Sequence, residues 1–224
     1  IVLSTKANAK VALLPNGWVN SGEAINSKDE SKDMLIDGIV NVHILEDDIA
    51  DIDFCIDKRP IAENKVIEVQ ISPGGSQTVQ VPQLSGNDEE DGTKLRYMIR
   101  VLPDNAILYN KKVKVLNYDF VDPDSLTLDP KDGNQTVIFT YISIDQAGNP
   151  SYPATVTMSF IGLSISGHIF EDFIINGNVD GFETIAADNL KFYMTLLDAQ
   201  GEIVATVPTL EDGSYLFNQT SGVN

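Results

Sequence analysis

The chain is poor in the residues that catalysis and metal chemistry most often use. Among 224 residues there are one cysteine, Cys55, and two histidines, His43 and His168. A single cysteine excludes an intrachain disulfide. With only two scattered histidines, the spacing of a structural zinc site is excluded as well. His43 and His168 lie in strand-like runs, with no serine, cysteine or aspartate spaced to make a nucleophile–base pair, and G-x-S-x-G does not occur. The stretch "SPGGSQ" has the glycines of a phosphate loop but neither its lysine nor its helix. Positive charge is scarce: 15 Lys and Arg face 33 Asp and Glu, a formal net charge of −18. That balance implies no basic patch for phosphates, and so neither nucleic acid nor anionic membrane as a partner. No apolar run reaches the ~20 residues of a membrane-spanning helix. The opening "IVLSTKANAK" lacks the basic-then-apolar order of a signal peptide, so any export signal is expected outside these residues. Sustained helical periodicity is missing too. The best helix candidate, "ETIAADNLKFYMTLLD" (183–198), alternates like a strand from Lys191 onward.

What is present is β pattern. Hydrophobic residues make up 42% of the chain, enough for real cores. Runs of alternating or β-branched residues recur between Gly, Pro, Asn and Asp: "KVIEVQIS" (65–72), "QTVQVP" (77–82), "LRYMIRV" (95–101), "QTVIFTYISI" (135–144) and "ATVTMSF" (154–160). The fold class expected is all-β, built of tandem β-sandwich modules. Residues 59–161 carry about seven strand-like runs, the profile of a complete sandwich. Residues 1–58 and 162–224 are each near the lower size limit for an independent core and read as half-modules. "EDGSY" (211–215) reads as a hairpin turn, so a strand from Ser214 to Phe217 needs a partner.

Three stretches carry a family resemblance. "ISGHIFEDFIINGNVDGFET" (165–184) with "LLDAQGEIVATVPTLEDGSYLF" (196–217) resembles the opening half of the B-type domain of serine–aspartate-repeat surface adhesins, a Cna-B or transthyretin-like sandwich. "LPNGWVNSGE" (14–23) with "DGIVNVHILEDDIADIDFCIDKRP" (37–60) resembles the closing half of the same module, with Cys55 where the family usually has glycine. The central "VPQLSGNDEEDG", "IRVLPDNAILY" and "LTLDPKDGNQTVIFTYISIDQAGNPSYPATVTMSF" resemble an immunoglobulin- or cadherin-like repeat of giant surface proteins of gliding, biofilm-forming bacteria that use type IX secretion. The resemblance implies one period of a tandem array that starts and stops inside the B-type module. "IVLST" would then continue a preceding "GSYLFNQTSGVN", in the same polypeptide or by strand donation between chains.

Calcium is the one cofactor the residues suggest. In "EDFIINGNVDGFE" (171–183), Asn176, Asn178 and Asp180 alternate and Gly181 follows, the order of a calcium loop, with Asp172 or Glu183 to supply a bidentate carboxylate. An Asn/Gly-rich turn without metal fits the same residues. In "GNDEEDG" (86–92), Asp88, Glu89, Glu90 and Asp91 are consecutive acids, which with Asp145 of "DQAGN" can share a cation or be screened by solvent. "DESKD" (29–33) and "EDDIAD" (46–51) are weaker acid runs. Trp18 reads as a core or seam anchor, with sugar stacking as the alternative. Cys55 reads as a passive residue partly covered by a neighbouring unit. "NQT" (134–136 and 218–220) and "DSL" (124–126) are sugar-acceptor motifs in the matching secretory systems. Acid-rich chains always contain carboxylate pairs, but no apolar cleft pattern accompanies them here.

The function expected is a non-catalytic repeat of a long extracellular bacterial adhesin or surface filament at the cell surface. It would be calcium-rigidified and joined head to tail to neighbouring repeats, with other domains meeting glycans or host proteins. The alternative is a carbohydrate- or protein-binding module of a secreted multidomain protein.

Overall fold

The computed structural model describes residues 1–25, 35–44, 48–171, 175, 177–178 and 192–221. Among them the chain is all-β. Its strands are β1 (Trp18–Ile25), β2 (Ile52–Lys58), β3 (Ile61–Ala62), β4 (Lys65–Ile71), β5 (Val79–Gln80), β6 (Gly86–Asn87), β7 (Arg96–Val101), β8 (Ala106–Asn110), β9 (Val113–Lys114), β10 (Phe120–Val121), β11 (Leu126–Pro130), β12 (Gln135–Ile144), β13 (Ala154–Ile161), β14 (Ser164–His168), β15 (Tyr193–Leu197), β16 (Ile203–Pro208) and β17 (Ser214–Asn218). A 3₁₀ turn, Gln219–Ser221, follows. No helix among the described residues is long and apolar enough to cross a membrane.

The middle of the chain is a sandwich of two sheets. One has the order β10-β7-β12-β13-β4, the other β5-β11-β8-β9. All its pairings are antiparallel except β13 with β4. Strand alternation explains the core. Val137, Phe139 and Tyr141 of β12, Val156, Met158 and Phe160 of β13, and Tyr97 and Ile99 of β7 point inward. They meet Leu108 of β8 and Leu126 and Leu128 of β11 from the other sheet. Phe139 and Tyr141 are almost wholly buried. Truncating either would cost about 3–5 kcal/mol.

The flanks are thinner. β1 pairs with β2, and residues 1–3 are held to 38–40 by the Val2–Ile39 bridge and by hydrogen bonds from Leu3 N to Gly38 O and from Val40 N to Ile1 O. Beyond the sandwich, β14 pairs with β17 and β15 with β16, as two separate two-stranded sheets. Two strands are marginal without further cover. Accordingly Ile165, Leu197, Ile203, Leu210 and Leu216 remain exposed. The expected partner of the strand after "EDG" is thereby corrected. The partner expected was a segment equivalent to 1–58 of a neighbouring repeat; Ser214–Asn218 instead has a partner inside this chain, running antiparallel to β14, while the turn before it closes through Leu210 N to Ser214 O and Gly213 N to Leu210 O. Cys55 is also corrected: it is exposed rather than covered.

Candidate functional site at the acidic junction

The acids of the central segment converge where β2 leads into the sandwich. β3 pairs with β6, so Asp88 emerges beside the segment that follows Lys58. The run 88–92 closes on itself through Asp88 N to Gly92 O (2.9 Å) and Gly92 N to Asp88 O (3.0 Å). Asp88 Oδ1 accepts from the amides of Glu90 (3.0 Å) and Asp91 (2.9 Å). The turn needs Gly92, whose φ is +61°. The loop between β12 and β13 is built alike: Asp145 Oδ1 accepts from Asn149 N at 2.7 Å, and Gly148 has φ +98°. Asp91 joins the two loops, accepting from Gln146 N (2.7 Å) and Gln146 Nε2 (2.8 Å).

Asp88 is 5% and Asp145 2% exposed, and the second carboxylate oxygen of each is buried without a hydrogen-bond partner. Ser143 Oγ is orphaned in the same way. Buried oxygens of this kind are costly unless something compensates them. Of the acids expected to act together, then, Asp88 and Asp145 each keep an unpartnered oxygen. Asp91 is spent on Gln146, and Glu89 is ion-paired with Lys58. Asn178 lies in a bend beside Gly177, whose φ is +74°; Asp172, Asn176, Asp180 and Glu183 lie outside the described residues.

One participant was not visible in the sequence pattern. Asp57 of β2 accepts from Asn149 Nδ2 at 2.8 Å. Glu90 has its carboxyl raised above the ordinary range by partial loss of solvent and then by the charges of Asp88, Asp57 and Glu89. Asp57 is remote in sequence, and only the fold brings it here.

Calcium takes six to eight oxygens and accepts main-chain carbonyls, amide oxygens and water along with carboxylates. The two orphaned carboxylate oxygens suit such a hard cation. Among the described residues, however, no three Asp, Glu, His or Cys side chains gather on one point suited to a metal. A cation here would therefore rest on Asp88 and Asp145, with the remaining oxygens from main chain and water.

Both ends of the sandwich are fastened to their neighbours. On the β2 side, Arg59 Nη1 donates to Pro150 O (2.8 Å), Arg59 lies 5.5 Å from the Tyr152 ring centre, and Tyr152 OH donates to Asn16 Oδ1 (3.1 Å). Tyr141 OH, deep in the core, reaches Glu63 O (2.5 Å) and Ser85 O (2.9 Å) and so pins the connecting segment. On the β14 side, the buried Gln219 donates from Nε2 to Ser72 O (2.7 Å) and accepts at Oε1 from Gly133 N (2.8 Å). Gly162 N donates to Asn134 Oδ1 at 2.8 Å. A Cβ on Gly162 would lie 2.8 Å from Gly133 Cα and 3.0 Å from Gln219 Oε1, so close approach requires glycine there.

An open groove of ≈ 590 Å³ lies against the first junction, lined by Trp18, Asn20, Asp37, Arg59 and Tyr152 among others. Lys58 Nζ stands 5.3 Å from the centre of the Trp18 ring.

No family model, no curated protein and no solved structure matches the chain.

Proposed function

We propose that the chain is a non-catalytic structural repeat of a long extracellular bacterial adhesin or surface filament, serving as a stalk and spacer in cell-surface attachment. The observation that carries this reading is the fastening of both junctions. A chain whose work is reach must limit bending between its units, and directional hydrogen bonds at Arg59, Asn149 and Gln219 do that without a large apolar interface. Exposed apolar residues on the two-stranded sheets of the flanks also favour neighbours that complete them, head to tail, by the next repeat or a second chain. Calcium at Asp88 and Asp145 would neutralise buried negative charge and stiffen the first junction. Residues 171–183 would supply a second calcium site in a completed B-type sandwich.

Two copies joined in tandem test this. Small-angle scattering should give a maximum dimension about twice that of one copy, with the profile of a stiff rod. A profile in which the copies fold back or move independently would contradict it.

The alternative, a carbohydrate- or protein-binding module of a secreted protein, is favoured by one feature, the groove beside Trp18 and Tyr152. Its mark would be saccharide binding lost in Tyr152→Ala.

A further inference from the structure

One lateral edge of the sandwich reverses the charge of the molecule. Residues 94–120 hold six bases and two acids, Asp104 and Asp119, in a chain of 15 bases and 33 acids; Asp119 accepts from Leu116 N at 2.7 Å, and Lys111 is ion-paired with Asp122 at 2.8 Å. The expectation that the chain has no basic patch is thereby corrected: overall composition hid a local one. On β7, Tyr97 and Ile99 turn into the core, so Arg96, Met98 and Arg100 face outward. β10 lies beside them, with Phe120 opposite Met98 and Tyr118 N donating to Ile99 O at 2.7 Å. The Arg96 guanidinium lies 5.1 Å from the Phe120 ring centre, and that of Arg100 4.9 Å from the Tyr118 ring centre. The rings stay open to solvent, Tyr118 at 59% and Phe120 at 54% exposure. β9 is the edge of the other sheet, and only residues 115–119 separate it from β10. The exposed Lys112 and Lys114 therefore extend the same edge.

Charge on sheet edges also keeps copies from pairing edge to edge. That role needs lysines. It does not need two exposed rings, each stacked with a guanidinium.

We propose that this edge binds an acidic polysaccharide, a polymer of uronate sugars. Arg96 and Arg100 sit four residues apart on one strand face, roughly 13 Å. Each presents a planar fork suited to a carboxylate, and Tyr118 and Phe120 offer flat apolar faces for sugar rings. Two observations favour this partner over others. β9 and β10 are each two residues long, so the edge offers little backbone for an added peptide strand. A phosphate polymer is more densely charged, about one charge per 1.7 Å in duplex DNA, and would be repelled more strongly by the acidic remainder of the molecule. A uronate chain meets the patch locally, since screening at physiological salt acts within about 8 Å.

Affinity electrophoresis of the 224-residue chain through polygalacturonate gels, in chelator so that no cation bridges acid to acid, tests the proposal. Retardation is expected at physiological salt, where the distant acids are screened, and should fall as salt is raised well above it. Uncharged dextran should give none. Arg96→Gln with Arg100→Gln should weaken binding about tenfold or more, and Tyr118→Ala with Phe120→Ala comparably. Arg96→Lys with Arg100→Lys keeps the charge and the fold but loses the fork, and should fall between. Lys10→Gln, far along the chain, should change nothing. Absence of retardation at physiological salt, or retardation unchanged in the arginine variants, overturns the proposal. So does equal binding of a single-stranded oligonucleotide or a polyglutamate peptide through the same residues, which would make the edge a general anion surface.

Discussion

Replacing Gln219 with alanine isolates one junction. The Gln219 side chain is buried and makes two hydrogen bonds, both to main-chain groups outside its own unit: Ser72 O at 2.7 Å and Gly133 N at 2.8 Å. Alanine leaves both without a partner. An orphaned buried polar group costs about 1–3 kcal/mol. Ser72 is 2% exposed and should bear the full cost, whereas Gly133 is half-buried and can recruit water. Together the loss should be roughly 2–3 kcal/mol, taken from docking and not from the sandwich core. Because each 1.4 kcal/mol is a factor of ten, the Gly133 amide should exchange with solvent about 30-fold faster or more. The Val137 amide, in the centre of β12, should keep its rate. Hydrogen exchange resolved by residue reads both at once. If Gly133 exchange were unchanged, the bond would contribute nothing. If Val137 accelerated equally, the change would be global unfolding, and the idea of a separable junction would fail.

Other outcomes rest on the same geometry. Burial raises the phenol of Tyr141 to about 12 from its usual 10.0. The fold thus favours the neutral form, so the stability linked to it is intact below pH 10 and is lost as pH rises from 10 to 12, by up to about 3 kcal/mol. Urea melts across that window should show the fall, and Tyr141→Phe should make it shallower. Calcium should raise the melting temperature and chelator should lower it, with a stabilisation of about 2.7 kcal/mol at one hundred times the dissociation constant. Asp88→Asn with Asp145→Asn should remove the response of the first junction, and a melt indifferent to chelator would dismiss calcium there. Gly162→Ala should loosen the second junction much as Gln219→Ala does, because its methyl would press on Gly133; unaltered Gly133 exchange in that variant would count against close approach.

The sandwich was largely legible because its strands alternate strictly. β4, β7, β12 and β13 lie within a residue or two of the runs with strand pattern. The pattern of "QTVQVP" overstates its strand: only Val79 and Gln80 form a ladder, since Pro82 has no N–H to continue it. The pairing of β17 was not legible. A tight turn suggests that adjacent strands pair, yet β14, some fifty residues earlier, takes that place, and no local pattern encodes a partner so distant. In the acidic junction Asp88 was readable as part of an acid run and Asp145 as an acid that could join it. Asp57, Asn149 and Gln219 matter through contacts made across long separations, and their neighbours in sequence give no sign of it. The basic edge was concealed for a different reason: net charge is a sum, and a sum of −18 erases where the bases stand.

The central claim is that the sandwich is held in a fixed relation to the two-stranded sheets on its C-terminal side. Pulsed dipolar EPR tests this most directly, with labels on cysteines placed at the exposed Lys114 and Glu202 in a Cys55→Ser background. The account predicts one narrow distance distribution, no wider than the labels themselves impose, which broadens when Gln219 is replaced by alanine. A distribution already broad with Gln219 in place, and unchanged by its loss, would mean that the units swing freely and that the junction bonds do not make a stalk.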